Sequence, residues 1–318
     1  MDFRPLEPTA LPWHRRVLRP LGRPVNRLLR WAWSCSGPSR STWFDSRRWR
    51  AVWNVNRWFS ATPRARSAHV VVRFAPRITM ELDLSRLTDV LAYCYGPGEM
   101  EVGYACSMLC PADGVVVDVG GNIGTTTLAF AATARDGVVH VFEPSAEMRR
   151  CLQRNLELSR ASNVRVHPVG LGDAPARGRL RVAIDGNPGS AFVVDEGAAT
   201  TGDPEIEVRR LDDVLEPGGR VDFVKIDVEG YELRALRGAE RVLREQRPAV
   251  LFEVNETALA RAGTSGREVC DHLRERGYGL FYLRHGRFQA YDPESMLARK
   301  LHNVVAIHPA APRGAAQP

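Results

Sequence analysis

The segment Val115-Val116-Val117-Asp118-Val119-Gly120-Gly121-Asn122-Ile123-Gly124-Thr125 leaves this chain few folds to choose from. Its β-branched run reads as a buried strand, and the glycines behind it force a tight turn. Thr125 to Ala134 then reads as a helix with Leu128 and Phe130 to bury. A second hydrophobic strand, Val138 to Phe142, ends on Glu143, 19 residues past Gly124. Strand, glycine turn, helix and strand form the opening unit of a nucleotide-binding α/β sheet. The turn lets backbone approach a ligand, and an acid after the second strand can accept both ribose hydroxyls.

The glycine spacing separates two nucleotide classes. A dinucleotide fold wants G-x-G-x-x-G to cradle a pyrophosphate, whereas here Asp118 precedes Gly120-x-Asn122-x-Gly124. An acid at the mouth of the first strand repels a pyrophosphate and suits a ligand carrying an amino group and a sulfonium. D-x-G-x-N-x-G resembles the first motif of class I S-adenosylmethionine-dependent methyltransferases. The competing structural reading is a tight βα turn with Asp118 as a helix cap. The spacing also disfavours a dinucleotide-dependent oxidoreductase.

Alternation of strands and helices continues down the chain. Pro144 opens a helix through Leu158, and Val164 to Val169 is a third strand ending in Gly170-Leu171-Gly172-Asp173. Residues 174–209 read as a β-rich insertion. Val221 to Asp227 is a fourth strand followed by a helix from Tyr231 to Glu245, and Ala249 to Val254 a fifth, carrying Glu253. Ser265 to Arg276 is a helix, Tyr278 to Leu283 a sixth strand and Asn303 to Ile307 the last. The fold class is therefore α/β, a Rossmann-like doubly wound, mostly parallel sheet with helices on both faces. Upstream, Ala68 to Leu84 reads as a hairpin turning at Pro76, Leu87 to Tyr95 as a helix, and a further helix runs to about Cys110. The expected division is an arm and helical cap at 1–66, a lead-in at 67–112, the ligand-binding domain at 113–308 and a loose tail at 309–318.

Charge is unevenly spread. Residues 1–66 contain 14 Arg against Asp2, Glu7 and Asp45, a net +11, which leaves −4 for the remainder of a chain whose total is +7. All seven Trp fall in the same segment. Either a helical cap packed on the core or an element for an anionic surface accounts for it, and seven aromatics favour the cap. Nucleic-acid binding, the alternative function, is disfavoured because an acidic body repels phosphates around the crevice. Cys35, Cys94, Cys106, Cys110, Cys151 and Cys270 are scattered without zinc-type spacing and read as reduced thiols of a cytoplasmic protein. No transmembrane run and no secretory signal is read. The Arg bias, 42 Arg to two Lys, points to a high-GC bacterial genome.

Asp118-Val-Gly-Gly-Asn-Ile-Gly124, Phe142-Glu-Pro144, Leu211-Asp-Asp213, Lys225-Ile-Asp-Val-Glu-Gly-Tyr-Glu232, Phe252-Glu253 and Gly277-Tyr278 together closely resemble the FkbM-type methyltransferases over roughly residues 80–307. Two positions depart from the family: Gly121, where Ala is usual, and Met100 before Glu101, where an aromatic is common. The resemblance implies S-adenosyl-L-methionine as cofactor and a hydroxyl of a sugar or polyketide-like product as acceptor. Strand ends then assign the site. Asp118, Gly120, Gly121, Asn122 and Gly124 hold the amino-acid half of the cofactor, Glu143 its ribose, and Gly172 with Asp173 its adenine. Asp227, Glu229 and Glu253 are the catalytic candidates. With Asn255 they also form an oxygen-ligand set suited to Mg²⁺, so metal use stays open. Lys225, inside the fourth strand, needs an acidic partner, and His302 is a minor candidate base.

Overall fold

A computed structural model describes residues 69–96, 100–182, 190–194, 202–284, 286–296 and 299–311. The readings made for residues 1–66, and most of the tail, lie outside the described residues. The described chain opens on an antiparallel hairpin, β1 (His69–Ala75) and β2 (Ile78–Asp83), turning at Pro76-Arg77. Helices α1 (Leu87–Tyr95) and α2 (Met100–Leu109) follow. The expected core then appears: β3 (Val115–Val119), α3 (Thr125–Thr133), β4 (Val138–Phe142), α4 (Ala146–Ser159) and β5 (Val164–His167). Ser145 caps α4 by accepting from the Met148 N–H.

The third strand stops two residues before its expected end. Pro168 has no N–H for the ladder, and the chain leaves for a second sheet. That sheet contains β6 (Gly170–Leu171), β7 (Ala176–Val182), β8 (Ala191–Val194) and β9 (Glu205–Arg209), in the order β6-β9-β7-β8. It is the β-rich insertion. After α5 (Leu211–Val214) and β10 (Phe223–Ile226), the expected long helix splits into α6 (Glu232–Arg237) and α7 (Glu240–Glu245). The break is Gly238, where a Cβ would lie 1.9 Å from the Gly172 carbonyl oxygen. Asp212 caps the second piece, accepting from the Arg241 and Val242 N–H groups at 2.7 and 3.1 Å. The Leu211-Asp-Asp213 motif thus has a structural role at its middle residue. The remaining elements are β11 (Ala249–Asn255), α8 (Glu256–Arg261), α9 (Gly266–Arg274), β12 (Gly279–Arg284), β13 (Arg287–Ala290), α10 (Pro293–Met296) and β14 (Leu301–Ile307).

The main sheet has eight strands in the order β13-β12-β14-β11-β10-β3-β4-β5. From β11 to β5 every pair is parallel, while β14 runs antiparallel to both β11 and β12, and β13 to β12. The fold is the expected Rossmann-like, mostly parallel sheet. Strand alternation divides its residues between two layers. Val116, Val139, Phe223, Leu251 and Val305 bury against α2 and α3 through Cys106, Leu109 and Phe130. Val117, Phe142, Ile226, Phe252 and Val304 bury against α6, α7 and α9. A third cluster, including Met80, Leu82, Leu87, Val90, Ile123 and Met148, seats the hairpin and α1 over α3 and α4. From β3 the chain winds outward to β4 and β5, then returns to β10 and β11 on the other side. The strand order therefore reverses between β3 and β10, where open α/β sheets form a ligand crevice. Among the described residues no helix is long and apolar enough to cross a membrane.

Candidate active site

The glycine turn after β3 is pinned to the end of β4 by backbone. Gly120 and Gly121 both donate to the Phe142 carbonyl, at 3.0 and 3.2 Å. Gly120 and Gly124 sit at φ 85° and 93°, and Asn122 at φ 48°. A Cβ on Gly120 would stand 2.0 Å from the Asp227 carbonyl oxygen, so the turn and the end of β10 are back to back. The Glu143 carboxylate accepts from the Asn122 N–H and the Ser145 N–H, each at 2.8 Å, and is 7% exposed. Burial pushes its pKa up, against the pull of those two amides. Asn122 Oδ1 is buried with no hydrogen-bond partner among the described residues. A buried acceptor without a donor is costly in a finished turn and is what a ligand amine would satisfy.

Behind the turn lies a charged group. Asp118 is fully buried and accepts from Thr127 Oγ1 at 2.6 Å and Thr126 Oγ1 at 3.2 Å, both in the first turn of α3. Its burial raises its pKa, and the Lys225 charge opposes the rise. Lys225, 3% exposed, has its ammonium 3.6 Å from Asp118 and 3.3 Å from Asp227, and donates to the Gly120 carbonyl at 3.0 Å. The partner expected for this lysine is therefore a pair of acids. Strand alternation carries the polar row onward. Glu253 shares the α2–α3 side of the sheet with Leu251, and its register partner on β14 is Asn303.

The loop after β10 carries the other acids. Glu229 takes φ 53° and Gly230 φ 108°, where a Cβ would meet the Ala258 carbonyl oxygen at 2.4 Å. Glu232, 1% exposed, accepts from the Val228 and Gly230 N–H groups at 3.1 and 3.2 Å, fastening the loop onto the start of α6. Burial first, then the charges of Asp227 and Glu232, raise Glu229 to about 7. Burial likewise raises Glu232 to about 7, opposed by the backbone amides it accepts.

The structure thus gathers Asp118, Gly120, Gly121, Asn122, Gly124, Glu143 and Asp227 at the strand-order reversal, with Glu229 two residues further along the loop and Glu253 on the neighbouring strand. Gly172 and Asp173 arrive from the second sheet, Gly172 buried against Val208 and Tyr231 and Asp173 exposed. Two sequence readings change. His302 alternates with Asn303, so it shares the opposite layer with Val304; it is bonded to the Tyr291 hydroxyl at 2.8 Å, and burial holds its pKa near 4. Asn255 caps α8 by accepting from the Ala258 N–H at 3.2 Å, which engages it locally rather than as a ligand. Among the described residues no group of three or more His, Cys, Asp or Glu is disposed to hold a metal ion. Sequence reasoning passed over Thr126, Thr127 and Asn303. The Thr run at the start of α3 was the only signal for the first two.

Comparison with known proteins bears on the same stretch. A family model described as the methyltransferase FkbM domain matches residues 118–280. Methyltransferase 1 of Beauveria bassiana is 33% identical over 153 residues, covering 41% of this chain and 60% of the relative. Methyltransferase sdnD of Sordaria araneosa is 30% identical over 162 residues, covering 41% and 62%. The AMB antimetabolite synthetase AmbE of Pseudomonas aeruginosa is 27% identical over 251 residues, covering 66% of this chain and 12% of that protein. The chain spans less than two thirds of the length of each of these relatives. The crystal structure of methyltransferase FkbM from Methylobacillus flagellatus KT aligns at a TM-score of 0.39 with 17% identity, over 80% of this chain and 58% of that one.

Proposed function

The chain belongs to the methyltransferase FkbM domain family, and from that premise we propose that it moves a methyl group from S-adenosylmethionine to a hydroxyl of a small acceptor, a sugar or polyketide-like product. The observation that carries this reading is the meeting of the glycine turn, Glu143 and Asp227 at the strand-order reversal. The turn fits the cofactor: it has an unpartnered buried acceptor on Asn122. Gly120 to Gly124 and Asn122 would hold the amino-acid half, with Asp118 behind them as the neutralising partner of Lys225. Glu143 would take the ribose hydroxyls on lone pairs not used by its two amides. Gly172 and Asp173 would edge the adenine. Bound there, the cofactor supplies an electrophilic methyl on a sulfonium.

The protein's share of the chemistry is positioning and proton removal. Full ionisation of an aliphatic alcohol at pH 7 would cost about 12 kcal/mol, taking it as water-like. A placed base contributes about 10²–10⁴-fold when proton and methyl move together. Asp227, 42% exposed at the mouth of the turn, is the carboxylate best placed to take that proton. Glu229, raised to about 7, and Glu253 on the adjacent strand complete the acidic wall facing the acceptor.

Calorimetric titration with S-adenosylmethionine tests the cofactor, and transfer of labelled methyl to a panel of glycosides and polyketides tests the acceptor. Absence of cofactor binding would remove the reading. Asp227→Asn is expected to lower kcat by about 10²-fold or more with cofactor affinity nearly unchanged. Activity lost to EDTA and restored by Mg²⁺ would make Asp227 a metal ligand. Indifference to EDTA leaves it as the base.

A further inference from the structure

Lys225 is a buried charge that the reaction outlined above does not use. As a counter-ion for Asp118 alone it would need one contact. Its contacts reach three separate segments: Asp118 on β3, the Gly120 carbonyl in the turn, and Asp227 past β10. The contact with Asp227 helps to neutralise the buried ammonium but compensates no burial of the carboxylate, which is 42% exposed and solvated without help. On the carboxylate its effect is restraint. The Gly120 carbonyl likewise gains a donor: its own N–H is spent on Phe142 while its carbonyl turns inward to the ammonium. An ammonium offers three donors on a side chain that burial here holds in one place.

We propose that Lys225 is a positioning residue that locks the glycine turn and Asp227 at one separation, so that the methyl donor's cradle and the acid beside the acceptor move as a unit. The proposal rests on the methyltransferase reading for its purpose, though the lock itself is a property of the chain.

Lys225→Met alone would strand Asp118 in the core without a counter-ion and risks the fold. Asp118→Asn is therefore the reference, since the amide still accepts from Thr127, and Asp118→Asn/Lys225→Met is the test. Two quantities are compared between them: hydrogen exchange at the Gly120 and Gly121 amides against those of β3 and β4, and calorimetric affinity for S-adenosylhomocysteine. The lock predicts that the Gly120 and Gly121 amides exchange about 10-fold faster or more in the double variant while strand amides hold their rates. It also predicts about 10-fold weaker S-adenosylhomocysteine binding. Unchanged turn amides, or turn and strand amides accelerating together, would overturn the proposal, because a lysine that merely fills and neutralises the core acts on the whole sheet. If wild-type protein binds no S-adenosylhomocysteine, the cofactor reading fails while the exchange comparison still decides the lock.

Discussion

Glu143 shows how far one residue can be read ahead of its structure. Its place at the end of a strand was legible, because an acid closing an apolar run stands out. Its two backbone bonds were not, since the Asn122 amide reaches it only through a turn whose path depends on three positive φ angles. Glu143→Ala should therefore do two things at once. It should weaken S-adenosylmethionine by about 1.5–3 kcal/mol, the worth of charge-assisted hydrogen bonds, and it should lower Tm by freeing two amides. Unchanged affinity in calorimetry would sink the ribose assignment. Gly121 teaches the opposite lesson. Its departure from the family's alanine could be read from the sequence, but the packing that glycine relieves could not: a Cβ there would stand 2.2 Å from Val141 Cγ2. The β-branched neighbour has little freedom to yield. Gly121→Ala is expected to cost about 1–3 kcal/mol of stability. Val141→Ala in the same chain should recover part of that cost, so a double-mutant cycle by denaturant unfolding should show coupling of about 0.5 kcal/mol or more. Additivity would show that the crowding is relieved elsewhere.

Among the elements, hydrophobic periodicity located most core strands and helices within a few residues, because each is tied to a burial pattern of period 2 or 3.6. What it missed are events between elements. The exit of β5 into a second sheet, the break between α6 and α7 and the antiparallel β14 are decided by contacts such as Gly238 against Gly172, far apart in sequence. The hairpin is another case. Its strands were legible, but its seat over the glycine turn was not. The seat is polar as well as apolar: Asn155 on α4 is fully buried, accepts from the Glu81 N–H of β2 at 2.7 Å and donates to the Ile123 carbonyl of the turn at 2.9 Å. One amide thus joins hairpin, helix and turn. Asn155→Leu leaves both backbone groups unpaired and is expected to destabilise by about 2–5 kcal/mol. Urea titration measures it. A loss below about 1 kcal/mol would mean that the hairpin hangs on its apolar cluster alone.

Across the whole molecule, the division of charge was readable but the way folding shifts it was not, since burial decides which groups keep their charge. Two sets pull in opposite directions. His140, His272 and His302 are held near 4 by burial, below their ordinary 6.5, so they favour the folded state above pH 6.5 and withdraw that support as pH falls toward 4. Glu229 and Glu232, raised from 4.5 to about 7, favour it below pH 4.5 and withdraw support as pH climbs toward 7. Between pH 4.5 and 6.5 the sets oppose each other, so wild-type stability should vary little there. Above 6.5 the carboxyl cost continues to grow while the histidine gain has ended. Comparing Glu232→Gln with wild type at each pH cancels the groups that Glu232 does not touch, while Glu229, which loses the repulsion of the Glu232 charge, shifts in the same direction. Glutamine keeps an acceptor for the Val228 and Gly230 amides and resembles the protonated acid. The variant's stability relative to wild type should therefore rise between pH 4.5 and 7, by about 3 kcal/mol at most, and level off above. Urea unfolding at pH 4.5, 6 and 8 measures the difference. A flat difference would mean that Glu232 ionises in the fold as easily as in the unfolded chain, and that the acid loop bears no burial strain near neutral pH.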